Sequence, residues 1–276
     1  MTATRDELVA AARGPRRFGW WYIAEHQFRQ MRRYLWVVVV NTIGSPLLYL
    51  LGIGFGLASF MTRPIADGPD GPVSYLLFVT PALVASAGVA VASDEFQYSV
   101  MMGFKWRRLF WGMNDSPVEP PQIVTGFVLA VAGRMLFSTL AFAAIAVLFG
   151  GLGDPWSAFA VAGAGLLGGM AFGLPLLAYS ATITEDKGQF ALVNRFVFTP
   201  MFLFSGTFYP LATLPVWLQW IGWVSPLWHA SEIGRAASYG RSPGSWPVGW
   251  HVVVLLTLCV AGWVAARRVF VRRLRG

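Results

Sequence analysis

Residues 156–184 read WSAFAVAGAGLLGGMAFGLPLLAYSATIT and contain no charged side chain. As an α-helix this run can cross the hydrocarbon core of a bilayer, which takes about 20 apolar residues. The runs 35–60 and 74–93 are also free of charge, and 123–150 and 191–209 contain one arginine each. With the apolar run that ends at Ala266, we predict an all-α integral membrane protein. Its six transmembrane helices are expected at 35–60, 74–93, 123–150, 156–184, 191–209 and 247–266.

The composition supports a membrane protein and excludes several other classes. Of 276 residues, 56% are hydrophobic and 12% are charged, whereas soluble domains carry about 25% charged residues. Such a chain cannot cover its surface with solvated side chains. The apolar fraction and the single cysteine also exclude a disordered chain, a collagen, a coiled coil and a disulfide-stapled secreted domain.

The positive charges predict an orientation in the membrane rather than a nucleic-acid partner. Sixteen Lys and Arg residues lie in 1–34, in the loops 94–122 and 185–190 and in 267–276, against three on the other side, Arg63, Arg235 and Arg241. Because loops rich in Lys and Arg stay cytoplasmic, both termini are expected in the cytoplasm, with the chain in the plasma (inner) membrane. The domains are then a cytoplasmic arm, 1–34, a six-span domain, 35–266, and a basic cytoplasmic tail, 267–276.

The arm ends in FGWWYIAEHQFRQMRRY, residues 18–34. Trp20, Ile23, Gln27, Met31 and Tyr34 recur at three- and four-residue steps, which predicts an amphipathic helix on the cytoplasmic interface. The alternative is a solvated arm. Charges and tryptophans interrupt the region where a secretory signal would have its apolar core, so none is expected.

The cytoplasmic loop 94–122, DEFQYSVMMGFKWRRLFWGMNDSPVEPPQ, is too long and too aromatic for a simple connector. We expect it to expose Phe104, Trp106, Leu109, Phe110 and Trp111, either to a partner protein or to lipid headgroups. Large aromatic residues flanked by arginine are typical anchors of protein interfaces. The acids that precede them, Asp94 and Glu95, could fix the loop through charge-assisted hydrogen bonds.

The outer segment between spans five and six contains three helix-breaking prolines, Pro210, Pro215 and Pro226, and four tryptophans follow the second of them. Tryptophan favours the headgroup level of a membrane. This pattern predicts short re-entrant helices that dip into the outer leaflet, with their backbone groups satisfied by helical bonding and by burial in protein.

Most other motif-like strings have a packing explanation. Gly163, Gly165 and Gly168 match a dinucleotide fingerprint, but no strand precedes them. Glycines four residues apart, as at 165, 169 and 173 and at 52 and 56, let helices approach closely. No P-loop sequence occurs, the three histidines form no metal cluster, and every carboxylate lies in a terminus, a loop or a span edge. Coupling to an ion gradient is therefore disfavoured.

Arg134 and Arg195 are the charged residues inside predicted spans. Each lies within a few turns of a cytoplasmic end, so its side chain can snorkel to the interface. Alternatively, it can bind an anionic substrate headgroup or a carboxylate such as Glu185.

This order of elements resembles the membrane subunit of type-2 ABC exporters. Residues 202–237, FLFSGTFYPLATLPVWLQWIGWVSPLWHASEIGRAA, are similar to the signature of that family, with Gly206, Pro215, Pro226, His229 and Arg235 at matching intervals. Residues 96–130 resemble the corresponding loop of the nodulation-factor-export (NodJ-like) branch, close to drug-export permeases of the daunorubicin type.

The resemblance implies a permease that moves an amphipathic or glycosylated compound out of the cytoplasm, such as a drug, a lipid, a lipo-oligosaccharide or a polysaccharide. It implies a second permease, identical or a sister chain, and two copies of a separate ATPase that holds ATP and Mg, with no cofactor on this chain. The implied ATPase-docking residues are Asp94, Glu95, Phe104, Lys105, Trp106, Arg107, Arg108 and Phe110. The implied outer gate includes Gly206, Pro210, Pro215, Pro226 and His229.

Two other functions fit the residues. One is a passive channel or a structural membrane subunit. The other is a membrane-embedded lipid-modifying enzyme, in which His229 and Glu232, one helical turn apart, would serve as acid and base.

Overall fold

The computed structural model describes residues 4–52, 56, 65–69, 71–240 and 246–276. Residues 53–55 and 57–60 of predicted span one lie outside the described residues. Arg63 and Arg241 lie outside them too. All helical packing below concerns the described ranges.

The described chain is almost entirely helical. The α-helices are α1 Arg5–Arg32, α2 Leu35–Leu50, α3 Tyr75–Phe96, α4 Tyr98–Met101, α5 Leu109–Asn114, α6 Pro120–Leu148, α7 Ser157–Thr182, α8 Gln189–Val193, α9 Thr199–Phe204, α10 Val216–Val224, α11 Pro226–Tyr239 and α12 Val248–Arg275. Single π-helical turns follow α4 at Met102–Trp106 and α8 at Asn194–Phe198, and a 3-10 turn occupies Leu211–Thr213. Strands β1, Ala66–Gly68, and β2, Gly71–Val73, form a small antiparallel hairpin that the sequence pattern did not predict.

Four helical segments are long and apolar enough to cross a membrane: Tyr75–Trp106, which includes the break at Gln97, Pro120–Leu148, Ser157–Thr182 and Val248–Arg275. These correspond to predicted spans two, three, four and six. Predicted spans one and five correspond to shorter apolar helices, Leu35–Leu50 and Gln189–Phe204. Sixteen helical residues extend about 24 Å, less than the ~30 Å core.

The centre of the bundle is the contact between α3 and α7. Both helices lack charge at this contact, and small residues let their backbones meet: a Cβ on Gly169 would lie only 2.8 Å from the carbonyl carbon and oxygen of Gly88. Gly173 makes a similar approach to Phe96 and Ala92. The packing interpretation of the glycine spacing is therefore confirmed for this helix.

Helix α1 packs along α6, and its position on the cytoplasmic membrane interface stays a prediction. Ile23 and Ala24 are buried, and the backbone of Trp20 lies against Gly126, where a Cβ would collide with it. The predicted apolar face is thus half right, since Trp20 and Tyr34 are exposed. The reason is that Gly126 has no side chain, so the backbone of α1 at Trp20 and the side chain of Ile23 can lie directly against α6.

Helix α12 packs mainly on α7 and continues through the residues predicted as a basic tail. Its last turns bury Phe270 and Leu274, while Arg272 and Arg275 are exposed. The alternation of buried apolar and exposed basic residues is that of a helix lying on the bundle.

Candidate functional site

The segment after α3 turns sharply at two residues. Gln97 has φ −107° and ψ −94°, which ends α3, and Arg108 lies in the left-handed region with φ 52°, which starts α5 in a new direction. Between them, α4 and the π-helical turn carry the aromatic and basic residues predicted to dock a partner.

Phe104 and Phe110 are buried, so the prediction that they are exposed is wrong. Their side chains are 2% and 1% exposed, and their rings lie 4.9 Å apart. Each also contacts Phe270 of α12, at 4.9 and 5.3 Å between ring centroids. The sequence could not show this contact because Phe270 is more than 150 residues away and lies in the predicted tail.

The neighbouring residues are exposed as predicted: Lys105, Trp106, Arg107 and Arg108. Trp106 is 55% exposed and stacks on Tyr98, with ring centroids 6.4 Å apart and planes 14° apart. Tyr98 in turn packs edge-on against Phe190, at 4.9 Å. We call Tyr98, Lys105, Trp106, Arg107 and Arg108 the basic aromatic surface.

Arg273 is a functional candidate that sequence reasoning missed. Its guanidinium lies 4.0 Å from the centre of the Phe104 ring. It also donates to the carbonyl oxygens of Ala181 and Ile183 at the end of α7, at 2.6 and 2.9 Å. Asn114 of α5 donates to the Leu274 carbonyl oxygen at 3.3 Å. Helix α12 therefore contacts the segment that carries the basic aromatic surface on its buried side, through Arg273 and Leu274.

The acids before this segment are not attached to it by any recorded hydrogen bond among the described residues. Glu95 forms an ion pair with Arg134 of α6, and both side chains are mostly buried. Of the alternatives for Arg134, the structure therefore favours pairing with a carboxylate, although the partner is Glu95 and not Glu185. Asp94 is exposed.

A second buried polar link, which the sequence did not indicate, joins α3 to the π-helical turn after α8. The side-chain amides of Gln97 and Asn194 donate to each other's oxygens at 2.9 and 3.2 Å. Ser93 donates to the same Asn194 oxygen at 3.0 Å. Since buried amides need partners, this group fixes α3 against predicted span five.

The predicted outer segment is divided into short helices that begin at its prolines, as predicted. Pro210 and Pro215 immediately precede the 3-10 turn and α10, and Pro226 occupies the first position of α11, where proline is favoured. Ser225 caps α11 by accepting from the Leu227 backbone at 3.1 Å. Gly206 has φ 68°, which a side chain would strain.

Arg235 joins this segment to α3 from a buried position. It donates to the carbonyl oxygens of Phe78 and Gly206, at 3.2 and 2.6 Å, and to the carboxylate of Glu232, at 2.7 Å. Its guanidinium also lies 3.8 Å from the Phe78 ring centre. Gly206 is thus held in its turn by a charged donor.

His229 is fully buried and does not act with Glu232. Its Nε2 lies 3.0 Å from the Trp223 carbonyl oxygen and its Nδ1 lies 2.8 Å from Nδ1 of His251 on α12. Since a carbonyl only accepts, Nε2 of His229 carries the proton, and His251 donates to Nδ1 of His229. Glu232 is bound by Arg235. The predicted acid–base pair therefore has no reactive arrangement.

Two adjoining cavities open between the helices. One, of about 430 Å³, lies between α2, α3, α6 and the end of predicted span five, and is lined by both apolar and polar residues, including Asn41, Ser86, Asp94, Arg134 and Phe198. The other, of about 810 Å³, is lined by Asp94, Asn194 and the exposed Arg195. Arg195 therefore faces a cavity.

Membrane-length apolar helices around a partly polar cavity define an integral membrane protein of the multi-span class. The chain belongs to the ABC-2 type transporter family, whose model matches residues 19–239. Its resemblance to this family is thus confirmed.

The chain is similar along nearly its whole length to proteins named Nodulation protein J. That of Rhizobium meliloti is 25% identical over 270 residues, covering 97% of this chain and 98% of the relative. That of Bradyrhizobium diazoefficiens is 24% identical, with 98% and 99% covered. That of Rhizobium leguminosarum bv. viciae is 24% identical, with 86% and 87% covered.

Proposed function

We propose that the chain is the permease subunit of an ATP-driven exporter that moves an amphipathic or glycosylated compound out of the cytoplasm. Membership of the ABC-2 transporter family and the similarity to Nodulation protein J support a membrane permease for export. The compounds that fit are a drug, a lipid, a lipo-oligosaccharide or a polysaccharide. This permease crosses the plasma membrane six times, with both termini cytoplasmic.

The observation that carries the proposal is the basic aromatic surface. Three consecutive exposed side chains, Trp106, Arg107 and Arg108, lie at the end of a π-helical turn and just after it, and the buried side of this turn contacts α12. A rigid, exposed Trp between cations is suited to bind another protein and to transmit its movement. The partner is a separate ATPase, present in two copies, which holds ATP and Mg.

The candidate docking residues are revised accordingly. Lys105, Trp106, Arg107 and Arg108 contact the ATPase, whereas Phe104 and Phe110 support them from the core. Glu95 belongs to the span-two to span-three ion pair. A second permease, identical or a sister chain, completes the complex.

The predicted outer segment serves as the exit gate. Its short helices α10 and α11 are set by Pro215 and Pro226 and attached to α3 through Arg235 and to α12 through His229. The attachment of these helices to α3 and α12 suits the segment to gating. Because His229 has no exposed surface and its partner is a histidine, His229 and Glu232 do not form an acid–base pair for a lipid-modifying enzyme.

A pull-down with the cognate ATPase tests this proposal. Trp106→Ala removes the exposed anchor, and loss of an anchor typically costs about 2 kcal/mol or more of binding, so ATPase recovery should fall at least tenfold. Trp156→Ala is the matched control, since Trp156 is 78% exposed and belongs to the opposite, predicted outer side. Recovery of the ATPase by Trp106→Ala at the level of the control would contradict the docking assignment.

A further inference from the structure

The two cavities described above meet at one carboxylate. Asp94 lines both the cavity of about 430 Å³ and the cavity of about 810 Å³, and it is exposed to them. A cavity of several hundred Å³ with few polar groups is the usual form of a small-molecule site.

Within the described part of the chain, Asp94 forms no ion pair of its own. Arg134, which lines the first cavity, forms its ion pair with Glu95, and its charge also acts on Asp94. Arg195 lines the second cavity, but no ion pair between it and Asp94 is recorded among the described residues. A carboxylate that lines a cavity and has no ion pair of its own can pair with a cationic ligand.

The wall that faces Asp94 is aromatic. Phe198 and Phe202 stack with their centroids 6.3 Å apart and their planes 7° apart, and Tyr49 packs against Phe202 at 6.4 Å. All three residues line the first cavity. Aromatic faces next to a carboxylate form the environment that binds organic cations, through ring quadrupoles and one ionic contact.

We propose that Asp94 is a substrate-binding residue, and that the compound bound between α2, α3, α6 and predicted span five is a lipophilic cation. Its ammonium or other cationic centre pairs with the Asp94 carboxylate, and its apolar body lies against Tyr49, Phe198 and Phe202. This inference deepens the proposed export function by naming a substrate class, and it assigns Asp94 to the transport path.

Binding of two probes of the same shape and opposite charge tests the inference. Equilibrium dialysis of the full-length protein in neutral detergent would use tetraphenylphosphonium, a cation, and tetraphenylborate, an anion. The native protein should bind the phosphonium more tightly than the borate. Asp94→Asn should weaken phosphonium binding at least fivefold and leave borate binding no weaker, while Asp94→Glu should retain most of the phosphonium affinity.

Glu185→Gln is the control, because Glu185 is an exposed carboxylate outside both cavities. Elution as a monodisperse species by size exclusion would show that Asp94→Asn is folded. Equal phosphonium binding by the native protein and Asp94→Asn, or no phosphonium binding by the native protein, would overturn the inference. The inference would also be overturned if Asp94→Asn weakened the binding of a neutral alkyl glycoside as much as that of the phosphonium. That result would show that Asp94 accepts hydrogen bonds from hydroxyl groups.

These measurements use the permease without an ATPase. Failure of the cation site would therefore leave the pull-down result unaffected. Loss of ATPase docking would likewise leave the binding of tetraphenylphosphonium unchanged.

Discussion

Arg235 shows how much one side chain can organise in this fold. It is 4% exposed and has three hydrogen-bond acceptors, from α3, from the turn at Gly206 and from its own helix. The sequence placed Arg235 in the outer segment at an interval typical of the family, but the identity of its partners depends on the packing of α11 against α3. Arg235, which the charge count assigns to the outer side, is in fact buried and connects α11 to α3 and to the turn at Gly206.

Arg235→Ala should destabilise the protein by about 2–3 kcal/mol or more, because it leaves the Gly206 carbonyl and the Glu232 carboxylate without their donor. Arg235→Lys should restore only part of this loss, since an ammonium cannot stack on Phe78 and serve the same fork of acceptors. Thermal unfolding in detergent measures both. Arg195→Ala, at an exposed arginine, is the control and should shift the melting temperature little. An Arg235→Ala protein as stable as that control would refute the connector role.

The element that presents the basic aromatic surface is built from distant parts of the chain. The π-helical turn 102–106 rests on Phe270 and Arg273, and Arg273 also binds the carbonyl end of α7. The turn is thus connected to spans four and six as well as to span two, of which it is the continuation.

We expect Arg273→Ala to separate ATPase binding from coupling. Trp106 and its neighbours stay exposed in this variant, so ATPase recovery in a pull-down should be within about twofold of native. Transport per ATP hydrolysed should fall severalfold, because the turn loses its connection to the end of α7. Arg272→Ala, one residue away on the exposed side of α12, should have neither effect. Native coupling in Arg273→Ala would exclude transmission through α12.

The sequence predicts the membrane-length helices of this protein, because they depend on continuous apolar length. Four spans were identified from long apolar runs, three of them free of charge and one with a single arginine, and proline positions gave the breaks of the outer segment. It could not predict which aromatics of the 94–122 loop turn inward, because burial of Phe104 and Phe110 requires Phe270. Nor could it reveal that Glu95 pairs with Arg134, which depends on the rotation of α3 against α6.

The orientation is a prediction for the whole chain. With sixteen basic residues on one side against three on the other, a reporter fused after Gly276 should be active in the cytoplasm. A reporter inserted at Asp67, in the β1–β2 hairpin, should be active outside. A fusion after Trp156 should behave like the one at Asp67. Opposite labelling at Gly276 and Asp67 would overturn the orientation and move the basic aromatic surface away from any cytoplasmic ATPase.

The contact of Phe104 with Phe270 also has a consequence for how the protein is made. During translation the 94–114 segment leaves the ribosome long before α12 exists, and its two buried phenylalanines then have no cover. Asn114 reaches its acceptor, the Leu274 carbonyl, only when α12 has been synthesised. A nascent or prematurely terminated permease therefore exposes an apolar surface that chaperones and proteases recognise. Helix α12 covers that surface once it has been made, so in the proposed exporter docking on the ATPase requires that α12 has been synthesised.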